Sequence, residues 1–242
     1  MKKIKIAIIG YGKMGREIEN LAHQSGHEVL LTIDNEQDWQ EKRQKLKDVD
    51  VAIEFTAPHL APTHLDRCFK AGVPVVCGTT GWYEQLPDIT KKCNQEGSAL
   101  FYAPNFSIGV NLFFELNAHL AKMMTSFPSY TINMSETHHT QKLDAPSGTA
   151  IKLADDILQC RKDLHRWVLS PQEAKKDEFT IQAKRIEGVT GTHEVTYSSE
   201  TDEIEIKHTA HNRQGFTKGA LLAATWIPGK KGVFTMKDLL NL

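Results

Sequence analysis

The densest group of residues able to do chemistry lies between Glu136 and Ala150. His138, His139 and Lys142 place three potentially cationic side chains within five positions. Pro146, Ser147, Gly148 and Thr149 follow at once and lead into a helical pattern, which Ser147 or Thr149 could cap. A helix N-terminus beside a lysine and two histidines suits an anion, and a carboxylate fits well. Histidine also gives or takes a proton near neutral pH. The segment therefore combines charge recognition with an acid. Three other readings stay open here. The histidines could sit in a solvated loop. They could bind zinc, although the cluster has no cysteine and the other close pair, His208 and His211, is distant in sequence. Ser147 could be a nucleophile, but it lacks a G-x-S-x-G context.

A second group sits near the N-terminus. Gly10-Tyr11-Gly12-Lys13-Met14-Gly15 fits G-x-G-x-x-G, after an apolar β-branched run and before a helical pattern. In that context the first glycine permits a tight turn and the second lets a pyrophosphate approach the backbone. The third allows the helix to pack closely on the strand. Asp34 ends the next strand-like run, 19 positions after Gly15. A carboxylate there meets the ribose hydroxyls of NAD and repels the 2′-phosphate of NADP. Asn35 follows it where a base could have stood, while Lys13, Lys42 and Arg43 remain within possible reach of such a phosphate. Gly78-Thr79-Thr80 and Ala103-Pro104-Asn105-Phe106 also close apolar runs, where open parallel sheets place their ligands.

The elements that must carry these residues follow from periodicity. Ile4–Ile9, Glu28–Ile33, Val49–Phe55, Val73–Cys77 and Ala99–Ala103 read as strands. Met14–Ser25, Thr63–Lys70 and Pro87–Gln95 read as helices between them, and the charged stretch Asp38–Asp48 as a solvated helix. The alternation predicts a parallel sheet with helices on both faces. After Asn105 the texture changes. Helical patterns cover Ser107–Met124 and Ser147–Gln159, and strand patterns cover Thr131–Glu136, Phe179–Ile186, His193–Ser198 and Glu203–His208. The last three strands have no helix between them, so an antiparallel or mixed sheet is expected. Gly219–Trp226 and Lys237–Leu240 return to helix. The fold class expected is therefore α/β: a doubly wound (Rossmann) parallel-sheet domain that suits a dinucleotide, followed by an α+β domain with a mixed sheet.

Composition narrows the function. With 242 residues, 40% hydrophobic and 24% charged, the chain is ordinary globular protein. A net charge of −1 supplies no basic excess for nucleic acid. Cys68, Cys77, Cys93 and Cys160 form no C-x-x-C pair and fit a reducing compartment. Lys2, Lys3 and Lys5 precede only the short run Ile6–Ile9, too brief for a signal peptide, and no run reaches membrane-spanning length. A cytoplasmic location, without a membrane partner, is expected.

Glu136 through Ala150 resembles the E-x-H-H-x-x-K-x-D-A-P-S-G-T-A signature of the dihydrodipicolinate reductase family. The glycine turn, Gly78–Gly81, Asn105-Phe106-Ser107 with Gly109-Val110-Asn111, and His208 through Ala220 fall in the family's order, so the resemblance covers nearly the whole chain. It implies NAD(P)H-dependent reduction of a cyclic imine bearing two carboxylates, in the diaminopimelate route to lysine. It implies His138 as proton donor and Lys142 as catalytic lysine, with His139, Ser147, Gly148 and Thr149 holding substrate. It carries cofactor contacts onto Gly10 through Gly15, Asp34, Gly78 to Thr80, Ala103 to Phe106, Arg213 and Phe216, with no metal. It implies a cofactor domain of residues 1–106 plus 214–242, a substrate and oligomerisation domain of 107–213, and a homotetramer. NADH is expected to serve at least as well as NADPH. The chain departs from the family in a short stretch from Asp34 to Asp48, in Asn35, and in the turn Glu187–His193. The competing classes are another two-domain NAD(P)-dependent dehydrogenase of a small anionic substrate and a non-catalytic cofactor sensor; the intact acid and lysine argue against the second.

Overall fold

The computed structural model describes residues 3–242. Met1 and Lys2, the latter part of the basic N-terminal group, lie outside the described residues. Along the chain the elements are β1 (Lys5–Ile9), α1 (Lys13–Gln24), β2 (Glu28–Ile33), α2 (Glu36–Lys42), β3 (Val51–Glu54), α3 (Ala61–Lys70), β4 (Val75–Cys77), α4 (Leu86–Gln95) and β5 (Ala99–Tyr102). Then follow α5 (Ile108–Met123), β6 (Thr131–His138), α6 (Gly148–Cys160), β7 (Arg166–Leu169), β8 (Glu178–Arg185), β9 (Gly191–Ser198), β10 (Glu203–Ala210), α7 (Gln214–Trp226), β11 (Gly232–Phe234) and α8 (Met236–Leu240). The chain divides into two compact units. One runs to Ile108 and resumes at Gln214–Leu242; the other is Gly109–Arg213.

The first unit is built on a six-stranded sheet in the order β11-β5-β4-β3-β1-β2. Every pairing in it is parallel. Alternate residues of β1 serve opposite cores, as a sheet covered on both faces requires. Ala7 and Ile9 join Leu65, Phe69 and Trp82 on one side. Ile6 and Ile8 join Ile18, Phe101 and Ala224 on the other. Each of these large side chains, on leaving water, contributes roughly 1.5–3 kcal/mol. This is the doubly wound arrangement expected from the alternation of strands and helices.

The stretch Asp38–Asp48 differs from the solvated helix expected. It is α2 followed by a 3-10 turn over Arg43–Asp48, and it is anchored by buried Trp39 and Leu46. Trp39 stacks on His64 at 5.4 Å between ring centroids, so two apolar residues among many charges fix the segment to the core. The short strands β7 and β11 were also beyond the sequence pattern. β7 opens on Arg166 and β11 on Gly232, so neither shows the run of small and apolar residues that marked the equally short β3, β4 and β5.

The second unit holds a five-stranded sheet in the order β10-β9-β6-β8-β7. β9 is antiparallel to both β10 and β6, while β6, β8 and β7 run parallel. Ile132, Met134, Phe179, Ile181, Val195 and Tyr197 form its apolar face, packed with Phe113, Leu120, Leu153 and Ile157 from α5 and α6. The opposite face carries Asn133, Ser135, Gln182, Glu194 and Thr196, exposed or half-buried. On the core face of β6 the period-two series Ile132, Met134, Glu136, His138 stays buried while its chemistry turns from apolar to ionisable. That change marks the site. Among the described residues no helix is long and apolar enough to cross a membrane.

Candidate active site

In the first unit the glycine turn links β1 to α1. Gly10 has φ +91°, and a Cβ there would stand 2.0 Å from the Phe55 carbonyl oxygen. A Cβ on Gly15 would stand 2.3 Å from the Gly10 carbonyl oxygen, so this glycine lets α1 lie against the turn. Gly12 is different: a Cβ there would meet no protein atom within 4 Å. It is also the N-cap of α1 and offers no side-chain acceptor to the first-turn N–H groups. Those donors and the open space beside them fit a phosphate group. Tyr11 and Met14 are half-buried, while Lys13 is exposed.

Asp34 is exposed just beyond β2, and its carboxylate accepts the Tyr11 backbone N–H at 2.7 Å. The acid is thus tied to the glycine turn. Asn35 caps α2 by accepting the Asp38 N–H at 3.0 Å. Lys42, one of the three cations that could have met a 2′-phosphate, donates to the Thr32 carbonyl at 2.9 Å and pairs with Asp38. At the neighbouring strand ends Thr79 is buried and Thr80 exposed. Thr79 accepts the Thr56 N–H on its hydroxyl at 2.7 Å and the Trp82 indole N–H on its carbonyl at 2.7 Å. Gly78 lies under the Phe55 ring, where a Cβ would come within 2.1 Å. Ala103 and Phe106 are buried, Pro104 is exposed, and the Asn105 side chain accepts the Ser107 N–H at 2.9 Å. Phe216 is half-buried in α7, and Arg213 is the exposed last residue of the second unit.

In the second unit, sheet register assembles the polar end of the core face. Glu136 on β6 pairs with His193 on β9, and His138 pairs with Arg185 on β8. Glu136 is wholly buried, and both its oxygens lie 3.1 Å from the Ser147 N–H. Arg185 Nη2 donates to Oε1 at 3.2 Å. His138 Nδ1 stands 3.4 Å and His193 Nε2 3.7 Å from Oε2. The two imidazoles meet edge to face at 5.0 Å. Ser147, rather than Thr149, is the cap of α6: its Oγ accepts the Ala150 N–H at 3.2 Å and lies 3.2 Å from His193 Nε2. Gly148 begins the helix with no atom within 4 Å of its missing Cβ, and Thr149 is half-buried. Lys142 Nζ pairs with Asp144 at 2.8 Å, and His139 turns the chain by accepting the Lys142 N–H on its carbonyl at 3.1 Å.

Electrostatics follow from burial. His193 is held neutral, its pKa pushed down to about 3, first by burial and then by the nearness of His138, His208 and Lys142. His138 is also lowered, chiefly by burial, while Glu136 opposes the shift and Lys142 and Arg185 reinforce it. The Lys142 ammonium holds the Asp144 carboxyl below its usual range. Glu136, His138 and His193 have donor atoms within 4.8 Å of one another. The carboxylate already receives a backbone N–H, and a guanidinium stands against it. Glu136 as hub, His193 and Arg185 were not among the sequence candidates. A histidine alternating with Val195 and Tyr197 on one strand face was the signal for His193.

A doubly wound sheet with this glycine turn is a dinucleotide-binding arrangement, one that pyridine-nucleotide-dependent oxidoreductases use. The comparisons with known proteins agree. The models for the N-terminus and the C-terminus of dihydrodipicolinate reductase match residues 4–106 and 109–240. The chain belongs to the dihydrodipicolinate reductase family. It is 47% identical over 240 residues to the 4-hydroxy-tetrahydrodipicolinate reductase of Christiangramia forsetii, covering 98% of each chain. It is 37% identical over 204 residues to that of Methanosarcina barkeri, covering 82% of this chain and 75% of that one. The solved dipicolinate-bound dihydrodipicolinate reductase from Paenisporosarcina sp. TG-14 is similar at TM-score 0.75 and 26% identity, over 97% of this chain and 98% of that one. An amine dehydrogenase from Mycobacterium smegmatis, at TM-score 0.61 and 11% identity over 96% and 94%, shares the fold alone.

Proposed function

We infer that this chain reduces 4-hydroxy-tetrahydrodipicolinate to tetrahydrodipicolinate, the reduction step of lysine and diaminopimelate biosynthesis. The observation that carries the reading is the buried Glu136–His138–His193 cluster beside the N-terminus of α6 and Lys142, in a chain of this family. Gly10 through Gly15 and Asp34 would hold the dinucleotide, and Gly78 to Thr80, Ala103 to Phe106, Arg213 and Phe216 would supply its further contacts. When bound, the reduced cofactor supplies the hydride.

The rest is done by side chains and backbone. Ser147 caps α6 and aims the free N–H groups of Gly148 and Thr149 at a substrate carboxylate, with His139 beside them. Lys142 exchanges Asp144 for a substrate carboxylate, and its charge stabilises the dianion in a partly desolvated place. His138 gives the proton that accompanies the hydride as water leaves. NADH serves at least as well as NADPH, because Asp34 would accept the ribose hydroxyls and repel a 2′-phosphate, and Lys42 is already engaged. The enzyme acts in the cytoplasm as a homotetramer, whose contacts cover the open polar face of the second sheet. The test is oxidation of NADH and NADPH by the purified chain with freshly generated 4-hydroxy-tetrahydrodipicolinate. Substrate-dependent turnover is expected; a folded chain with no turnover on either cofactor would overturn the reading.

A further inference from the structure

A carboxylate is an odd residue to bury at position 136. An apolar side chain there would continue the face of Ile132 and Met134, and replacing a whole buried ion pair by apolar residues is often neutral or stabilising. The charge must therefore serve its neighbours. It is met by Ser147 from the start of α6, Arg185 from β8, His193 from β9 and His138 from its own strand. The guanidinium that holds it also reaches the loop after β6. Arg185 Nε donates to the Lys142 carbonyl at 3.2 Å, and Nη2 donates to the Asp144 carbonyl. Leu143 between them is 96% exposed, so its side chain gives that loop no apolar anchor. On the other side of the His138 ring, Nε2 lies 3.1 Å from where a Gly191 Cβ would stand. The ring is confined between a carboxylate and bare backbone.

We propose that Glu136 and Arg185 form a positioning pair: the carboxylate faces the Nδ1 edge of His138 at 3.4 Å as a charge contact rather than a hydrogen bond, and the guanidinium locks that carboxylate to the backbone of the loop carrying Lys142. One brace then sets both the proton donor and the lysine. The inference rests on the reading of His138 as the donor. The charged and titratable groups around His138 are Glu136, Lys142, Asp144, Arg185 and His193, and His208 of β10 acts in turn on His193. Glu136 favours the protonated ring and Arg185 disfavours it. Removing the two charges must therefore move the ring's titration in opposite senses, which a purely structural role of either residue would not do.

The experiment titrates His138 by NMR in the labelled full chain, as wild type, E136Q and R185Q, beside the pH profile of kcat/KM. E136Q is expected to move the His138 midpoint to lower pH by roughly half a pH unit or more, and R185Q to move it higher. The high-pH fall of kcat/KM should follow in each case. Midpoints that stay put, or move in the same sense, overturn the pair. Midpoints that move as expected while the rate profile does not would uphold the pair and remove His138 as the proton donor. If E136Q fails to fold, the sign of the R185Q shift decides, and E136D, which keeps the charge, must titrate near wild type.

Discussion

The two polar regions of this molecule are made in opposite ways. The turn after β1 is made by leaving side chains out. Gly10 and Gly15 are glycines because Phe55 and the turn's own backbone fill the space, and Gly12 is a glycine facing open space. The end of the second sheet is made by putting charges in. Glu136, His138 and His193 occupy core-face positions that Ile132, Met134 and Val195 hold one step further along. On the proposed reading the first region recognises its ligand by backbone dipoles, which are insensitive to pH. The second works by groups whose charge depends on burial and on one another, so its behaviour should vary with pH and salt.

That contrast is open to attack, beginning with the largest effect. Gly15→Ala should damage both folding and cofactor binding, because the new Cβ stands 2.3 Å from a carbonyl oxygen. Overpacking of this kind costs about 1–3 kcal/mol or more. Thermal denaturation and NADH fluorescence titration should both report a loss; an unchanged melting temperature would mean that the turn is more pliant than described. Lys142→Ala should lower kcat/KM by roughly 10- to 100-fold, the scale of one charge-assisted contact to a carboxylate. The stability should be unaffected, since the lysine's ion-pair partner Asp144 is largely exposed. Steady-state kinetics that match wild type would make this lysine a solvated side chain.

A smaller effect concerns acid. His193 is neutral in the folded chain down to about pH 3, whereas an unfolded histidine takes a proton near 6.5. The unfolded state thus binds more protons between these values, and stability must fall as the pH drops below 6.5, with no contribution above it. Between pH 6.5 and 5 the loss is about 1.5–2 kcal/mol. Chemical denaturation across that range should be flatter for His193→Gln than for wild type; equal slopes would show that His193 charges without penalty. The smallest effect is cofactor choice. Asp34→Ala should shift the ratio of catalytic efficiencies towards NADPH by a few-fold, about 1 kcal/mol. No shift would mean that its bond to Tyr11 is its whole role.

The same contrast explains what could be read in the sequence. A site made of missing side chains leaves a short motif, so Gly10 through Gly15 and the flanking β-α-β unit were legible, as was the segment from His138 to Thr149. A site made by sheet register is not local. Glu136 meets His193 across 57 positions and Arg185 across 49, and no spacing rule joins them. Only the alternation along β6 and β9 hinted that these groups face the core. Ser147 as cap needed the geometry too, because Thr149 was an equal candidate. Asp38–Asp48 misled because its charges outnumber Trp39 and Leu46, which anchor it.

The central claim is that binding and chemistry are separable between these regions. The most direct test is a pair of variants, Gly12→Ala and His138→Gln, each measured for NADH affinity and for the single-turnover rate of cofactor oxidation at saturating NADH. Gly12→Ala adds a methyl group to open space, so it should fold normally and weaken NADH binding by about tenfold or more while the saturated rate stays within a few-fold of wild type. His138→Gln should leave NADH affinity near wild type and lower the saturated rate by about 100- to 10,000-fold. Affinity and rate moving together in both variants would contradict the account.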